Sequence, residues 1–77
     1  MTTLKRIRKY RIELRENDHA PAHVHVVGVD VNALITLHAL VVVGDLPKAL
    51  KAEVMEYVTN NQTELLALWD NIHPTNR

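Results

Sequence analysis

Residues 23–38 read HVHVVGVDVNALITLH. Two alternating segments within them, residues 23–27 and 33–38, have the period of two that is typical of half-buried β-strands. The intervening residues 28–32, Gly-Val-Asp-Val-Asn, are typical of a hairpin connection or a β-bulge. This stretch therefore predicts two neighbouring strands, with both histidines of the first strand on one face and its valines at positions 24 and 26 on the other.

The residues on either side extend the predicted sheet. Upstream, Tyr10, Ile12 and Leu14 alternate with charged side chains, which predicts a half-buried strand over about residues 4–15. The alternation is irregular before Tyr10, so we expect a bulge or a frayed start there. Downstream, the apolar run at residues 40–43 predicts a short and more buried strand.

The hydrophobic period changes after residues 44–47, Gly-Asp-Leu-Pro. Asp45 can cap a helix, and proline is favoured in a first helical turn. From there on, apolar side chains recur three, four or seven residues apart at Leu50, Val54, Tyr57, Val58, Leu65, Leu68, Trp69 and Ile72. This amphipathic stripe predicts one long or kinked helix over about residues 47–72, with any break falling at residues 60–61, and a core or interface role for its tryptophan.

These patterns predict a single α+β domain over residues 1–77. It consists of a mainly antiparallel sheet of three or four strands, at about residues 4–15, 22–28, 32–38 and 40–43, covered on one face by a C-terminal helix. A domain of 77 residues has a limited core, so we expect a homodimer, with part of the helix near Trp69 at the interface. The chain has no cysteine, which excludes disulfides and thiolate metal sites.

Charge is distributed unevenly along a chain whose formal net charge is zero. Residues 1–15 carry six basic side chains and one acidic side chain, a balance of +5, and the remaining residues balance it at −5. Lys5, Lys9, Arg11 and Arg15 are therefore candidates for contacts with RNA phosphates, although the basic stretch equally suits pairing with the acidic remainder. We expect a cytoplasmic location, because no apolar segment follows the basic start, and no membrane span, because polar residues interrupt residues 24–43.

Residues 18–25, Asp-His-Ala-Pro-Ala-His-Val-His, concentrate the side chains that are most capable of chemistry. Histidine exchanges protons near neutral pH, so His23 and His25 could act as general acid and base in RNA cleavage, with His19 and Asp18 as helpers from the preceding loop. A divalent metal held by His19, His23 and His25 is a second interpretation, because neighbouring same-face strand residues lie about 6.5 Å apart. In a third, His23 and His25 are surface side chains on the solvent face of an edge strand. The alternative function is a non-catalytic interaction module whose helix and basic strand bind a partner.

Three segments resemble, in order, a family of small bacterial domains of unknown function: residues 18–26, residues 44–47 and residues 64–69. The usual form of the first motif in that family is Asp-His-x-Pro-Pro-His-Phe-His. Here Ala22 replaces the second proline and Val24 replaces the phenylalanine, while every histidine is kept. Members are often encoded beside a second small domain in pairs that look like toxin-antitoxin modules. The resemblance thus implies a small protein partner and an RNA-directed or translation-directed activity.

Overall fold

The computed structural model describes residues 2–15 and 19–73. Five strands form one antiparallel sheet in the order β1-β2-β3-β4-β5, so each strand pairs with its neighbour in sequence. The strands are β1 (Thr2–Ile7), β2 (Tyr10–Leu14), β3 (His23–Val27), β4 (Asn32–Thr36) and β5 (Val42–Val43). Two helices follow, α1 (Lys48–Asn60) and α2 (Gln62–Ile72). The α+β class predicted from the sequence is confirmed.

The predicted first strand, residues 4–15, is in fact a hairpin, so the expectation of three or four strands is wrong. Ile7 of β1 pairs with Tyr10 of β2 across a two-residue turn. Arg8, the first turn residue, has a φ of 54°, in the left-handed region that residues other than glycine and asparagine seldom adopt. The expected irregularity is present, because the β1–β2 register shifts between Thr3 and Lys5.

The fourth predicted strand is shorter and more exposed than expected. Only Val42 and Val43 pair with β4, and Val41 and Val43 are both more than half exposed. The run of four apolar residues indicated burial, but β5 lies at the edge of the sheet and has a neighbour on one side only. Residues 37–40 form a turn in which Leu40 has a φ of 57°, so His38 lies outside the strand predicted to contain it.

The predicted single helix is divided into two at Asn61. The break falls in the predicted place, where low helix propensity weakens the backbone ladder. The side chain of Asn61 donates a hydrogen bond to the Tyr57 carbonyl oxygen at 2.8 Å, so it caps the end of α1 instead of continuing the helix. Asp45 does not cap α1, since the residue that flanks its first turn is Pro47, with no side-chain cap.

The core lies between one face of the sheet and the apolar sides of the two helices. Its fully buried members include Ile12, Val24, Val26, Ile35, Leu50, Val54, Val58 and Leu65. Burying an aliphatic side chain of this size contributes roughly 1.5–3 kcal/mol. Gln62 at the start of α2 donates to the carbonyl oxygen of Leu37 at 2.6 Å, just beyond β4. Because β3 begins at the end of the sheet where β4 finishes, α2 runs across that end towards the first residues of β3.

Neither described helix is long and apolar enough to cross a membrane.

Candidate functional site

A row of paired residues crosses the sheet on the face opposite the core. Thr3 pairs with Glu13, Glu13 with His25, His25 with Leu34, and Leu34 with Val43. Since side chains alternate between the two faces of a strand, these five share a face from which Ile12, Val24 and Ile35 point away. The row places a carboxylate and an imidazole in adjacent positions near its centre.

His23 and His25 lie on the same face of β3, as the period of two predicted. Their ring centroids are 4.9 Å apart, and the rings meet edge to face at 69°. His23 is only 9% exposed, whereas His25 is half-buried. Nδ1 of His23 donates to the Pro21 carbonyl oxygen at 2.8 Å. A carbonyl oxygen can only accept, so the neutral ring carries its proton on Nδ1, and Nε2 is its basic nitrogen.

Two aromatic rings of α2 continue from His23 at the end of the sheet. The Trp69 ring centroid lies 5.2 Å from that of His23, and the His73 ring stacks on Trp69 at 3.9 Å and 21°. Trp69 and His73 meet because residues four apart lie on the same side of a helix. Trp69 is only 6% exposed, so it belongs to the core of its own chain. Together the four rings form a continuous aromatic cluster, His25-His23-Trp69-His73.

Glu13 is fully buried although it lies on the face opposite the core. Arg11 and Arg15 cover it: Nε of Arg11 donates to one carboxylate oxygen, and Nε of Arg15 donates to the other at 3.3 Å. Burial alone would raise the pKa of Glu13, but the hydrogen bonds and positive charges of the two guanidinium groups outweigh it and lower that pKa. Both arginines remain about 40% exposed, so their outer nitrogen atoms can reach a ligand.

Of the other two predicted site residues, only His19 lies within the described residues. His19 is exposed in the loop before β3, and Asp18 lies outside the described residues. Within residues 2–15 and 19–73, no group of three or more histidine, aspartate or glutamate side chains is arranged to hold a metal ion, so His19, His23 and His25 do not form the predicted triad.

The predicted phosphate-binding cations are divided between the two faces. Arg11 and Arg15 lie on the histidine face, beside Glu13. Lys5 turns towards the helices, with Nζ 5.8 Å from the centre of the Tyr57 ring, and Lys9 lies 5.6 Å from that of Tyr10. Only the two arginines are therefore placed to act with His23 and His25.

Sequence reasoning missed Glu13, Trp69 and His73 as neighbours of the histidines. Glu13 stands between two arginines at spacings of two, which places all three side chains on one strand face and was a usable signal. The contact of Trp69 with His23 had no such signal, because it depends on how α2 turns after Asn61.

A family model matches residues 9–70, and its description is Domain of unknown function (DUF4160). The chain belongs to this family. The match includes β2, β3 and β4, the loop with His19, and nearly all of both helices. No curated protein and no solved structure matches the chain.

Proposed function

We propose that this DUF4160 protein is a cytoplasmic component of a toxin-antitoxin-type pair and acts on RNA through His23 and His25. One observation carries the proposal: two imidazoles in contact share a sheet face with a pair of arginines held by a buried carboxylate. Glu13, which holds the arginines, is the direct cross-strand neighbour of His25. The proposed proton-transfer groups, the two imidazoles, are thus adjacent to the proposed phosphate-binding groups, the two arginines.

The proposed reaction is cleavage of RNA by its own 2′-hydroxyl. One imidazole takes the proton of that hydroxyl while the hydroxyl oxygen forms a bond to phosphorus. The other imidazole protonates the 5′-oxygen as the bond between the 5′-oxygen and phosphorus breaks. Nε2 of His23 suits the role of base, because Nδ1 already holds a proton for the Pro21 carbonyl. Arg11 and Arg15 would bind the phosphate through their outer nitrogens, since their Nε atoms serve Glu13.

Two partner hypotheses accompany this function. The first is a small cognate protein, which the resemblance to paired domains implies. The second is a homodimer, which the small core favours. Trp69 is buried within its own chain, so a dimer through α2 would use the neighbouring Leu68, which is 39% exposed. Light scattering that shows a monomer at high micromolar concentration would exclude the homodimer.

A second candidate, a non-catalytic interaction module, is favoured by the burial of His23. Its ring is packed against Trp69 and held by Pro21, which is a sufficient structural reason for a histidine at this position. In that case His23 fixes the end of α2 against the sheet, and the exposed arginines and helix faces bind a partner.

Replacing both histidines by alanine should abolish an effect on growth that the wild-type protein produces when expressed without its genetic neighbour. The same variant should fail to cleave a labelled RNA of mixed sequence, whereas wild type should produce 2′,3′-cyclic phosphate ends in the presence of EDTA. General acid-base groups typically contribute about 10²–10⁴-fold each, so the loss should be near complete.

His38→Ala is the matched control, because His38 is an exposed histidine in the turn after β4. It should leave growth and cleavage unchanged. His25→Gln removes one imidazole from a half-buried position and leaves His23 packed against Trp69, so it should abolish cleavage without disturbing that packing. Identical growth and RNA decay with wild type and the His23→Ala/His25→Ala variant would exclude the catalytic proposal and favour the interaction module.

A further inference from the structure

Within residues 2–15 and 19–73, the strand β1 forms one edge of the sheet and is paired on one side only. Its partner is β2, and the opposite edge of its six residues faces outwards. Such an edge presents backbone donors and acceptors to which another strand can pair. The other edge of the sheet, β5, has only two residues and offers a much shorter site. A sixth strand would therefore add beside β1.

A groove runs along the second half of β1, between the strand and α1. It has a volume of about 430 Å³ and is lined by Lys5, Arg6 and Ile7 from the strand and by Glu56, Tyr57 and Asn60 from the helix. Arg8 and Glu53 also line it, and the Arg8 guanidinium makes two hydrogen bonds to the Glu53 carboxylate, at 2.5 and 3.1 Å. Grooves between an edge strand and a helix suit an extended peptide, because the strand supplies main-chain partners and the groove selects side chains.

The strand side of the groove carries the positive charges of Lys5 and Arg6, and the helix side carries the single unpaired carboxylate Glu56 within the described residues, so the balance is positive. Lys5 and Arg6 are exposed, and neither pairs with a carboxylate anywhere in residues 2–15 and 19–73. Their side chains point to opposite faces of the strand, Lys5 towards α1 and Arg6 beside Arg11. A strand that pairs with β1 would have Lys5 beside one of its faces and Arg6 beside the other, at neighbouring positions.

This arrangement argues against a second copy of the chain at the same edge. Two β1 strands pairing with each other would bring Lys5 and Arg6 of one copy next to those of the other, and like charges on paired strands are destabilising. Charges of this kind protect edge strands from identical neighbours. The same charges attract a strand that carries acidic residues. Attraction of such a strand and repulsion of a second copy of β1 therefore both favour an acidic partner.

We propose that the outer edge of β1 binds an extended acidic segment of a partner polypeptide as a sixth strand, with two adjacent carboxylates facing Lys5 and Arg6. This deepens the proposed function, since it specifies the chemistry by which a cognate small protein would be recognised. The interface uses β1 and α1, on the opposite side of β2 from the histidines, and requires no reaction at His23 or His25.

A direct test uses a fluorescein-labelled ten-residue peptide with two Glu-Glu pairs separated by valine. We expect it to bind the full chain, with backbone amide shifts concentrated in β1. Lys5→Glu/Arg6→Glu should weaken binding at least about tenfold, because opposite charges become like charges. Lys48→Glu/Lys51→Glu is the matched control, since it makes the same charge change on exposed residues of α1, and it should bind as wild type does.

Further probes separate strand pairing from charge attraction and from RNA binding. The same peptide with N-methylated backbone amides keeps its charges but loses its donors, so it should bind at least about tenfold more weakly. The His23→Ala/His25→Ala variant should keep full peptide affinity, so that a failure of the RNA activity would leave this interface intact. Equal binding of the methylated peptide, or amide shifts in β1 caused by a ten-nucleotide RNA and not by the acidic peptide, would overturn the proposal.

Discussion

Trp69→Ala should lower the free energy of unfolding by about 3–5 kcal/mol, the usual cost of removing a large buried aromatic side chain. Trp69 is 6% exposed and contacts the rings of both His23 and His73, at centroid distances of 5.2 and 3.9 Å. Its loss would open a cavity where α2 meets the start of β3. A domain of this size has a stability of roughly 4–12 kcal/mol, so the variant would lose a large fraction of it.

Urea unfolding followed by far-UV circular dichroism is the appropriate measurement, because Trp69 is the only tryptophan and its fluorescence disappears with it. Leu68→Ala, at the neighbouring and 39% exposed position, should cost less than about 1 kcal/mol. Trp69→Phe keeps an aromatic ring and should give an intermediate loss, which remains measurable if the alanine variant does not fold. Equal midpoints for Trp69→Ala and Leu68→Ala would contradict the packing described for α2.

The parts of the fold that were predictable are those governed by side-chain period. Alternation along β2 and β3 fixed which residues point to the core, and it placed His23 and His25 together on the other face. The apolar stripe located the helical region, as one predicted helix where the structure has two, and it identified the buried side chains Leu50, Val54 and Val58. In these segments, the residues that the local pattern predicts to be buried are the ones that the fold buries. A single sequence is therefore sufficient to predict them.

Two errors in the predicted elements fall where the chain turns or a helix ends. The β1–β2 hairpin turns at Arg8-Lys9, where no glycine, asparagine or proline marks a reversal, so the irregular spacing before Tyr10 predicted only a bulge or a frayed start within one strand. The sequence predicted Asn61 as a possible break in the helix. Whether the helix ends there depends on the hydrogen bond from the Asn61 side chain to the Tyr57 carbonyl oxygen. Where tertiary contacts stabilise an unfavourable local conformation, sequence pattern alone predicts continuity.

The candidate site was predictable in its centre and not in its surroundings. The spacing of His23 and His25 predicted their contact, whereas the neighbours of that pair come from elements distant in sequence. Trp69 reaches His23 only because α2 crosses the end of the sheet, and Glu13 reaches the row beside His25 only through the β2–β3 register. Register and helix direction are set by the whole fold, so they could not be derived from the motif itself.

Glu13→Gln should destabilise the protein by about 1–3 kcal/mol at pH 7, because it leaves Arg11 and Arg15 without the carboxylate that both contact. The two guanidiniums are about 40% exposed and can be partly hydrated, which keeps the cost below that of a fully buried pair. Glu53→Gln is the matched control, since it makes the same chemical change in the exposed ion pair with Arg8. It should cost clearly less than Glu13→Gln, because solvent screens an exposed ion pair.

The pH dependence of this difference identifies the carboxylate as its source. The pKa of Glu13 is lowered in the folded protein, so its contribution is complete above the ordinary glutamate pKa of about 4.3 and is lost as pH falls through the lowered value. The stability gap between wild type and Glu13→Gln should therefore be constant from about pH 6 to 8 and become smaller below about pH 4. Urea midpoints measured at intervals across this range test the expectation. A gap that stays constant down to pH 3 would mean that Glu13 acts through its shape and hydrogen bonds, and that its charge does not hold the two arginines in place.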